Sequence, residues 1–415
     1  MFSKDGVSTA PSSSERTLSL VDKVLDSALV RPLAAALAET SAGRLVVTLP
    51  SGRQAVVGPI DREVAGELVL NNYRVLAKLI ARGQLGFADS YMAGDIDTDS
   101  LVGLFNYVMD SEQALASAVP SLIRSRWIDR IFHVQRANTV AGSRRNIAAH
   151  YDLGNEFYRL WLDPGMNYSS GIYAGAATSL EAAQGEKYRR ILSALELTAG
   201  HDLLEIGCGW GGFAEAAANR GARVTGITIS EEQFEEATGR IRRAGLADRA
   251  CIRLEDYRGT AGTFDRIASI EMIEAVGEEN WPIYFRSIAD RLKPGGIAVI
   301  QAITIREDLY EAYRRNPDFI QRYIFPGGML PTAHAMRRHA EAADLRFEAL
   351  ETFGSSYALT LVEWRHRFDE AWPRIAALGF DDRFRRMWSY YLAYCQVGFE
   401  RGTIDVGLYH LVKPC

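Results

Sequence analysis

Four glycines follow an acidic residue in residues 203–212, which read LLEIGCGWGG. The apolar run before the glycines has the composition of a strand, and the alanine-rich run after them has that of a helix. Glycine lets the backbone turn sharply and lets a ligand lie against bare peptide. The stretch therefore predicts a strand, a tight turn and a helix start, with a ligand that approaches the main chain closely.

The spacing of these glycines separates two classes of ligand. A dinucleotide fingerprint is G-x-G-x-x-G with an acidic residue about 20 positions further on. Here the glycines form G-x-G-x-G-G, and Glu205 stands two residues before the first of them. An acid in that place would repel a pyrophosphate but suits an ammonium group, so the string favours S-adenosylmethionine (SAM). An ordinary glycine-rich turn is the alternative.

Polar residues follow the next two predicted strands. Thr228 and Gln233 come after the second strand, and their side chains can bond the hydroxyls of a ribose. Asp256 and Tyr257 come after the third strand, where the carboxylate can accept from the exocyclic amine of an adenine. Ligands of parallel sheets bind beyond the carboxyl ends of the strands, so we expect these residues at the same site. A solvated loop acid is the alternative for Asp256.

The elements that must position these residues alternate from residue 180 onward. Strands are predicted at 202–206, 223–228, 250–254, 264–270 and 296–301, and helices at 180–197, 212–219, 231–244 and 281–292. Strands separated by helices predict an α/β fold with a parallel, doubly wound sheet. Residues 364–410 are rich in aromatic residues and are predicted to be helical.

Composition limits the classes of function. The 415 residues predict two to three domains, and 47% hydrophobic residues suffice for their cores. A formal charge of −5 does not suggest nucleic-acid binding. The four cysteines form no CxxC pair, so neither a zinc site nor a disulfide framework is indicated. No run approaches the roughly 18 apolar residues of a membrane span, so membrane contact is expected to be peripheral.

Six strings occur in the order seen in cyclopropane fatty acid synthases, and the chain resembles that family from about residue 86 to its end. They are HYDLGN at 150–155, MNYSS at 166–170, LEIGCGWGG at 204–212, TISEEQ at 228–233, EAVG at 274–277 and YIFPGG at 323–328. The resemblance implies a Rossmann-like, SAM-dependent methyltransferase that acts on the double bond of an unsaturated acyl chain in a membrane phospholipid.

The resemblance also assigns residues to the cofactor. It implies that Tyr168 and Ser169 hold the methionine part of SAM and that Gly207 and Gly209 lie under it. It implies further that Thr228 and Gln233 hold the ribose. Packing in the core, with a bonded hydroxyl, is the alternative for Tyr168.

A bound bicarbonate is the base in this family, held by a cysteine amide, a glutamate, a histidine, an isoleucine amide and a tyrosine. The matching positions here are Glu274, Ile303 and Tyr357, and the departures are Ser170 for the cysteine, Gln301 for the histidine and Ala275 for the histidine after the glutamate. A backbone contact survives the change of cysteine to serine, and glutamine can donate to an anion, but glutamine does not titrate near neutral pH. Bicarbonate and ring closure are therefore left open.

The chemistry itself sets further demands. An isolated alkene is a poor nucleophile, so the protein must hold it in line with the sulfonium methyl in a dry cavity, where positioning is worth up to about 7–11 kcal/mol. Methyl transfer leaves a carbocation, which aromatic faces and a carboxylate stabilise until a base removes a proton. Loss of a proton from the new methyl closes a cyclopropane, and loss from a neighbouring carbon leaves a branched or methylene chain. We expect a branched, methylene or furan-precursor product, with cyclopropane formation as the alternative.

Four parts of the chain are predicted. Residues 1–15 are a disordered start, 16–120 a small α+β domain for lipid docking or dimerisation, 121–145 a basic linker helix, and 146–415 the methyltransferase domain, with an acyl-tunnel insertion at about 305–335. A basic helix with aromatic anchors can lie on an anionic bilayer, although a solvated helix between domains is the alternative.

The expected partner is an unsaturated phospholipid at the cytoplasmic, inner face of a membrane. No nucleic acid and no metal is expected, and a homodimer is left open. A methyltransferase for a soluble small molecule and a non-catalytic protein that binds SAM or lipid are the two further alternatives.

Overall fold

The computed structural model describes residues 43–58, 63–111, 153–175 and 178–415. The expected disordered start at 1–15 and basic helix at 121–145 lie outside these residues. The chain divides into two compact units, Met1–Ala77 with Gly94–Ile123 and Lys78–Ala93 with Arg124–Cys415. Residues 78–93 lie within the predicted first domain, 16–120, but belong to the second unit.

The described part of the first unit is a four-stranded sheet followed by a helix. Its elements are β1 (Arg44–Thr48), β2 (Gln54–Val57), β3 (Val64–Leu70), β4 (Ile96–Thr98) and α3 (Leu101–Asp110). The strand order is β2-β1-β3-β4, in which β1 and β3 are parallel and the other pairs are antiparallel. Helix α3 begins after Ser100, whose side chain accepts a hydrogen bond from the amide of Gly103. This is the small α+β architecture that the sequence predicts.

A seven-stranded sheet is the centre of the second unit. Its strands are β5 (Asp202–Ile206), β6 (Arg223–Thr228), β7 (Ala250–Leu254), β8 (Phe264–Ile270), β9 (Leu292–Ile305), β10 (Arg346–Thr352) and β11 (Ile404–Val412), in the order β10-β11-β9-β8-β5-β6-β7. Strands β5 to β9 pair in parallel, whereas β11 is antiparallel to both β9 and β10. The predicted α/β class with a parallel sheet is confirmed, with β11 and β10 added at one side through antiparallel pairing.

Helices precede and connect these strands, and several of them begin at capping residues that are visible in the sequence. They are α1 (Arg74–Arg82), which runs from the first unit into the second, α2 (Gln84–Met92), α4 (Asn155–Arg159), α5 (Leu180–Ala194), α6 (Gly212–Asn219), α7 (Glu231–Arg243), α8 (Ile273–Val276), α9 (Trp281–Arg291), α10 (Glu307–Arg315), α11 (Ala333–Ala342), α12 (Gly354–Ala377) and α13 (Asp382–Glu400). A π-helical turn covers Ile320–Ile324, and short 3-10 turns cover Tyr257–Gly259 and Glu278–Asn280. Ser179, Ser230 and Thr332 cap α5, α7 and α11 by accepting from amides of the first turn.

The prediction of a helix through residue 410 is wrong at its end. Helix α13 ends at Glu400, Gly402 has a φ of 63°, and β11 then runs to Val412. A left-handed glycine terminates a helix, and the following residues have the branched, apolar composition of a strand.

One hydrophobic cluster of the second unit lies between the sheet and the helices α9 and α11. It contains the fully buried Ile267 and Ile300 of the sheet, Tyr284 and Phe285 of α9, and Met336 of α11. This packing fixes the carboxyl ends of β5, β8 and β9 relative to one another. Among the described residues, no helix is both long enough and apolar enough to cross a bilayer.

Candidate active site

The predicted glycine turn follows β5 and opens α6. Gly207 has a φ of 80° and Gly209 a φ of 51°, both in the left-handed region that side chains disfavour. A β-carbon on Gly209 would meet no atom of the described chain within 4 Å, whereas one on Gly207 would lie 2.9 Å from Cγ of Met272. The turn therefore combines bare backbone with open space at the carboxyl end of β5. That arrangement fits the close approach of SAM.

Glu205, near the end of β5, is 2% exposed. Burial raises its pKa well above the ordinary value, while the buried cation of Lys187 and a hydrogen bond from the amide of Ala214 oppose that rise. Its Oε2 has no hydrogen-bond partner among the described residues. A buried acceptor without a donor, beside the glycine turn, suits the ammonium group of SAM.

Lys187 of α5 is fully buried behind the residues predicted to hold methionine. Its Nζ donates to Oγ of Ser169 at 2.7 Å, and the ammonium interacts with the charges of Glu205 and Glu271. Burial lowers the pKa of Lys187 to about 8, against the opposing effect of those acids. Sequence reasoning missed this residue, which places one positive charge between two acidic parts of the site.

The ring of Tyr168 is enclosed by other aromatic rings. The ring centroids lie 5.4 Å from Tyr158, 5.6 Å from Trp161, 5.3 Å from Trp364 and 6.5 Å from Phe325. The hydroxyl of Tyr168 donates to that of Tyr391 at 2.9 Å. Both the packing and the binding interpretation of Tyr168 find support in this arrangement, because an aromatic cluster also offers faces to a cation.

The residues expected at the ribose lie together after β6. Oγ1 of Thr228 donates to Oε1 of Gln233 at 2.8 Å, and both side chains are buried. The side-chain oxygen of Gln233 accepts the hydrogen bond from Thr228. Its NH₂ group can therefore donate to a hydroxyl of the ribose. Binding of the ribose by Thr228 and Gln233 stays a prediction, and the polar groups of both residues suit it.

The residues expected at the adenine are engaged with neighbours. Asp256 accepts from Nε of Arg258 at 2.8 Å and from Nη2 at 2.7 Å, and it caps the 3-10 turn. The ring of Tyr257 packs edge-on against Tyr284 at 5.7 Å, and burial raises its pKa to about 12. The carboxylate is thus held by an arginine rather than left open, and adenine contact by these residues stays a prediction.

Sequence reasoning also missed Glu271, directly after β8, which is the residue on which the base site converges. Its Oε1 accepts from the amide of Ser170 at 2.9 Å and from Nε2 of Gln301 at 2.7 Å. Its Oε2 accepts from the hydroxyl of Tyr357 at 2.7 Å. Burial raises the pKa of Glu271, and the three hydrogen bonds oppose the rise. Three of the five predicted catalytic residues therefore hold one carboxylate that was not among them.

One signal in the sequence could have found Glu271. It is an acid at the carboxyl end of a predicted strand, three residues before Glu274, and strand ends are where ligands bind in such sheets. Its φ of 48° is unusual for a residue with a side chain. The main chain there is fixed by a bond from the amide of Glu271 to the carbonyl of Gln301 at 2.8 Å.

The other two predicted catalytic residues also meet. Oε1 of Glu274 accepts from the amide of Ile303 at 2.5 Å, while its buried Oε2 has no partner among the described residues. Burial and the nearby charge of Glu271 raise the pKa of Glu274 to about 8. Glu274 is therefore largely protonated at neutral pH.

The groups implied for bicarbonate do not fit an added anion in this arrangement. The amide of Ser170, the amide group of Gln301 and the hydroxyl of Tyr357 all donate to Glu271. The amide of Ile303 donates to Glu274. The donors are thus already bound to side chains of the protein, and a second carboxylate-like anion would lie against negative charge.

Comparison with known proteins places this geometry in a family. The model of the mycolic acid cyclopropane synthetase family matches residues 139–409. Tuberculostearic acid methyltransferase of Mycobacterium tuberculosis is 38% identical over 362 residues, covering 84% of each chain. Cyclopropane-fatty-acyl-phospholipid synthase of Escherichia coli is 35% identical over 354 residues, covering 84% of this chain and 88% of its own.

Solved structures agree with the sequence matches. A mycolic acid cyclopropane synthase complexed with S-adenosylhomocysteine (SAH) and CTAB has a TM-score of 0.62 at 28% identity, over 65% of this chain and 98% of its own. A cyclopropane synthase from Mycobacterium tuberculosis has a TM-score of 0.61 at 28% identity, over 65% and 98% of the two chains. The glycine turn, the sheet and these matches together show that the chain belongs to the cyclopropane fatty acid synthase family and is a SAM-dependent methyltransferase.

Proposed function

We propose that this chain transfers a methyl group from SAM to a double bond of an unsaturated fatty acyl chain in a membrane phospholipid. The product is a methylated chain, either branched, bearing a methylene group or serving as a furan precursor. The observation that carries the proposal is a buried carboxylate beside a continuous group of aromatic rings. Trp364 joins the two, because its ring lies 5.3 Å from Tyr168 and 6.1 Å from Tyr357, which binds Glu271.

This composition suits a hydrocarbon that becomes cationic. SAM supplies an electrophilic methyl group, so the electron pair of the alkene forms a C–C bond as the C–S bond breaks. The acyl chain then carries a positive charge, which the faces of Tyr168 and Trp364 stabilise. The buried site excludes water, which would otherwise capture that charge. A polar substrate would need polar partners that this aromatic group does not offer.

The relatives support an acyl substrate. One is named as a tuberculostearic acid methyltransferase and the other as a cyclopropane-fatty-acyl-phospholipid synthase. A lipid chain must enter from a membrane, so the protein acts there peripherally, at the inner face. In this proposal the first unit serves lipid docking or dimerisation, and the segment at about 305–335 walls the acyl path.

The direct test is incubation of the protein with methyl-labelled SAM and vesicles of unsaturated phospholipid. We expect the acyl chains to gain one CH₂, and fragmentation of the product to separate a branch or methylene from a ring. Vesicles of saturated phospholipid are the control and should acquire no label. Label found only on soluble small molecules would instead favour a small-molecule methyltransferase, and absence of SAM turnover with every lipid would favour a binding protein.

A further inference from the structure

We propose that Glu271 is the catalytic base of this enzyme and occupies the place that bicarbonate has in its family. The inference rests on the proposed function, since it concerns the proton lost after methyl transfer. It goes beyond that function by assigning the base to the chain itself. Activity should therefore need no bicarbonate.

The first step is the set of donors around the carboxylate. Ser170 precedes α5, Gln301 lies on β9 and Tyr357 on α12, so three separate parts of the chain converge on Glu271. Ser170, Gln301 and Tyr357 are also positions that the family resemblance assigns to the binding of bicarbonate. A carboxylate and a bicarbonate both present two oxygens on one carbon, and the side chain of Glu271 supplies that shape without a diffusing ligand.

The second step is the state of the carboxylate. A carboxylate has about four acceptor positions, and three donors leave one for a proton. Glu274 lies in the same buried region with one donor and an unpartnered Oε2. Burial raises the pKa of both acids, but three hydrogen bonds oppose the rise at Glu271 and only one side-chain oxygen of Glu274 accepts a bond, so Glu271 is the better placed of the two to act as a base. Lys187 adds a buried positive charge that favours the ionised form of Glu271.

The third step is the balance of the reaction. After the methyl carbon has bonded to one alkene carbon, the other carbon is positively charged and SAH has left with the former C–S electron pair. Glu271 takes a proton from one of two places. Loss from the new methyl group lets the C–H electrons close a ring bond to the cationic carbon, and loss from a carbon adjacent to the cation lets them form a C=C bond. Glu271 becomes a neutral acid and releases the proton to solvent before the next turnover. The acyl chain gains one CH₂ in every case.

The experiment compares Glu271→Gly and Glu271→Gln with the unchanged protein in buffer freed of carbon dioxide. Glycine removes the carboxylate and suits the φ of 48° at this position, so the variant should fold. Glutamine keeps the pocket filled but cannot take the proton. The matched control is Glu196→Gly, an exposed glutamate with a φ of 47° in the turn after α5.

We expect the unchanged protein and Glu196→Gly to keep their rate within twofold whether or not bicarbonate is added. Both Glu271 variants should lose about 100-fold or more, as removal of a general base does. Added bicarbonate should restore Glu271→Gly at least tenfold, because the three donors are then open to it. It should not restore Glu271→Gln, in which the amide fills the same place.

Three outcomes overturn the proposal. They are loss of activity of the unchanged protein in bicarbonate-free buffer, full activity of folded Glu271→Gly without bicarbonate, and failure of bicarbonate to restore that variant. Binding of ¹³C-bicarbonate, followed by NMR line broadening, gives a readout without turnover. If no lipid is methylated, the proposed function fails, yet binding to Glu271→Gly and not to the unchanged protein would still support the assigned pocket.

Discussion

Two acids three positions apart share one dry region but differ in their bonding. Glu271 accepts from three donors, whereas Glu274 accepts from one and leaves Oε2 without a partner among the described residues. Hydrogen bonds to a carboxylate favour its charged form, and burial without them favours the neutral form. Burial raises the pKa of both side chains, and the additional hydrogen bonds oppose that rise at Glu271.

The first prediction concerns Glu274 and the pH dependence of stability. Its folded pKa of about 8 lies above the ordinary value of 4.5, so the folded protein holds a proton that the unfolded chain releases. That contribution is fully present below about pH 4.5 and is lost as the pH rises to about 8. Glutamine does not titrate, so Glu274→Gln should not lose this stability as the pH rises. Between pH 5 and 8, its free energy of unfolding should therefore increase by on the order of 2–5 kcal/mol relative to that of the unchanged protein.

Urea unfolding at several pH values measures that difference. The glutamine keeps an oxygen that can accept from the amide of Ile303, so the comparison isolates the charge. Stability curves that stay parallel across this pH range would show that Glu274 does not carry the proton.

The second prediction concerns Lys187. Lys187→Met removes the donor to Ser169 and the cation near Glu205 and Glu271. The pKa values of both acids should rise, because a positive charge that favours their ionised forms is gone. We expect the acid limb of the rate profile to move to higher pH and the affinity for SAM to fall about tenfold, the size of a lost charged contact.

Lys293→Met is the matched control for Lys187→Met. Lys293 also pairs with two carboxylates, Asp202 and Asp265, but these lie near the amino ends of β5 and β8. Its loss should leave both the rate profile and SAM affinity unchanged. A similar shift in both variants would mean that the effect comes from general loss of stability.

At the scale of elements, a loop braces the helical turn that carries Glu274. The amide of Met329 donates to the carbonyl of Glu274 at 2.7 Å, and Nε2 of Gln321 donates to the carbonyl of Gly328 at 3.0 Å. The π-helical turn Ile320–Ile324 thus connects through Gly328 to α8. A disturbance of this loop should reach the acid without touching its side chain.

The third prediction is that Gly328→Ala lowers kcat. Its β-carbon would lie 3.0 Å from the carbonyl oxygen of Phe325 and 3.4 Å from that of Glu274, so backbone must move. We expect kcat to fall about tenfold, as small misplacements of catalytic groups do, with about 1 kcal/mol lost in stability. Steady-state kinetics and thermal unfolding measure both. Gly185→Ala on the exposed face of α5 meets nothing within 4 Å and should stabilise by about 0.5–1 kcal/mol with kcat unchanged.

Much of the fold follows from local sequence, but the site does not. Strands β5 to β8 have the predicted bounds, because each is a short run rich in apolar residues, and β5 and β6 are each followed by a helix. The hydrogen bond between Ser170 and Glu271 joins residues that are 101 positions apart in the sequence. It therefore depends on how the loop before α5 packs against the sheet. The family pattern implies the donors but not Glu271, because Glu271 matches none of the groups implied for the anion.

At the scale of the whole molecule, ligand binding and stability are linked. We expect SAM to bind the folded second unit at the glycine turn, so a 100-fold excess over its dissociation constant should add about 2.7 kcal/mol to the free energy of unfolding. The fourth prediction is that Gly209→Ala loses most of this gain, because its β-carbon points into the space kept for the ligand. A shift in unfolding temperature with added SAM measures the effect.

Gly245→Ala is the matched control for Gly209→Ala. Gly245 has a φ of 69°, and its β-carbon would also meet nothing within 4 Å. Both variants should lose about 1–2 kcal/mol through the left-handed backbone, yet only Gly209→Ala should lose the response to SAM. An equal response in both would place the cofactor elsewhere.

The antiparallel strand β11 has a consequence for how the second unit is made. It lies between β9 and β10, and β10 contacts the rest of the sheet only through it among the described strands. A nascent chain that has left the ribosome only to Glu400 therefore carries a sheet whose β9 edge is bare and whose β10 has no neighbour to join. Such an edge is a template for wrong pairing, so protection of the growing chain matters most just before synthesis of residues 404–412.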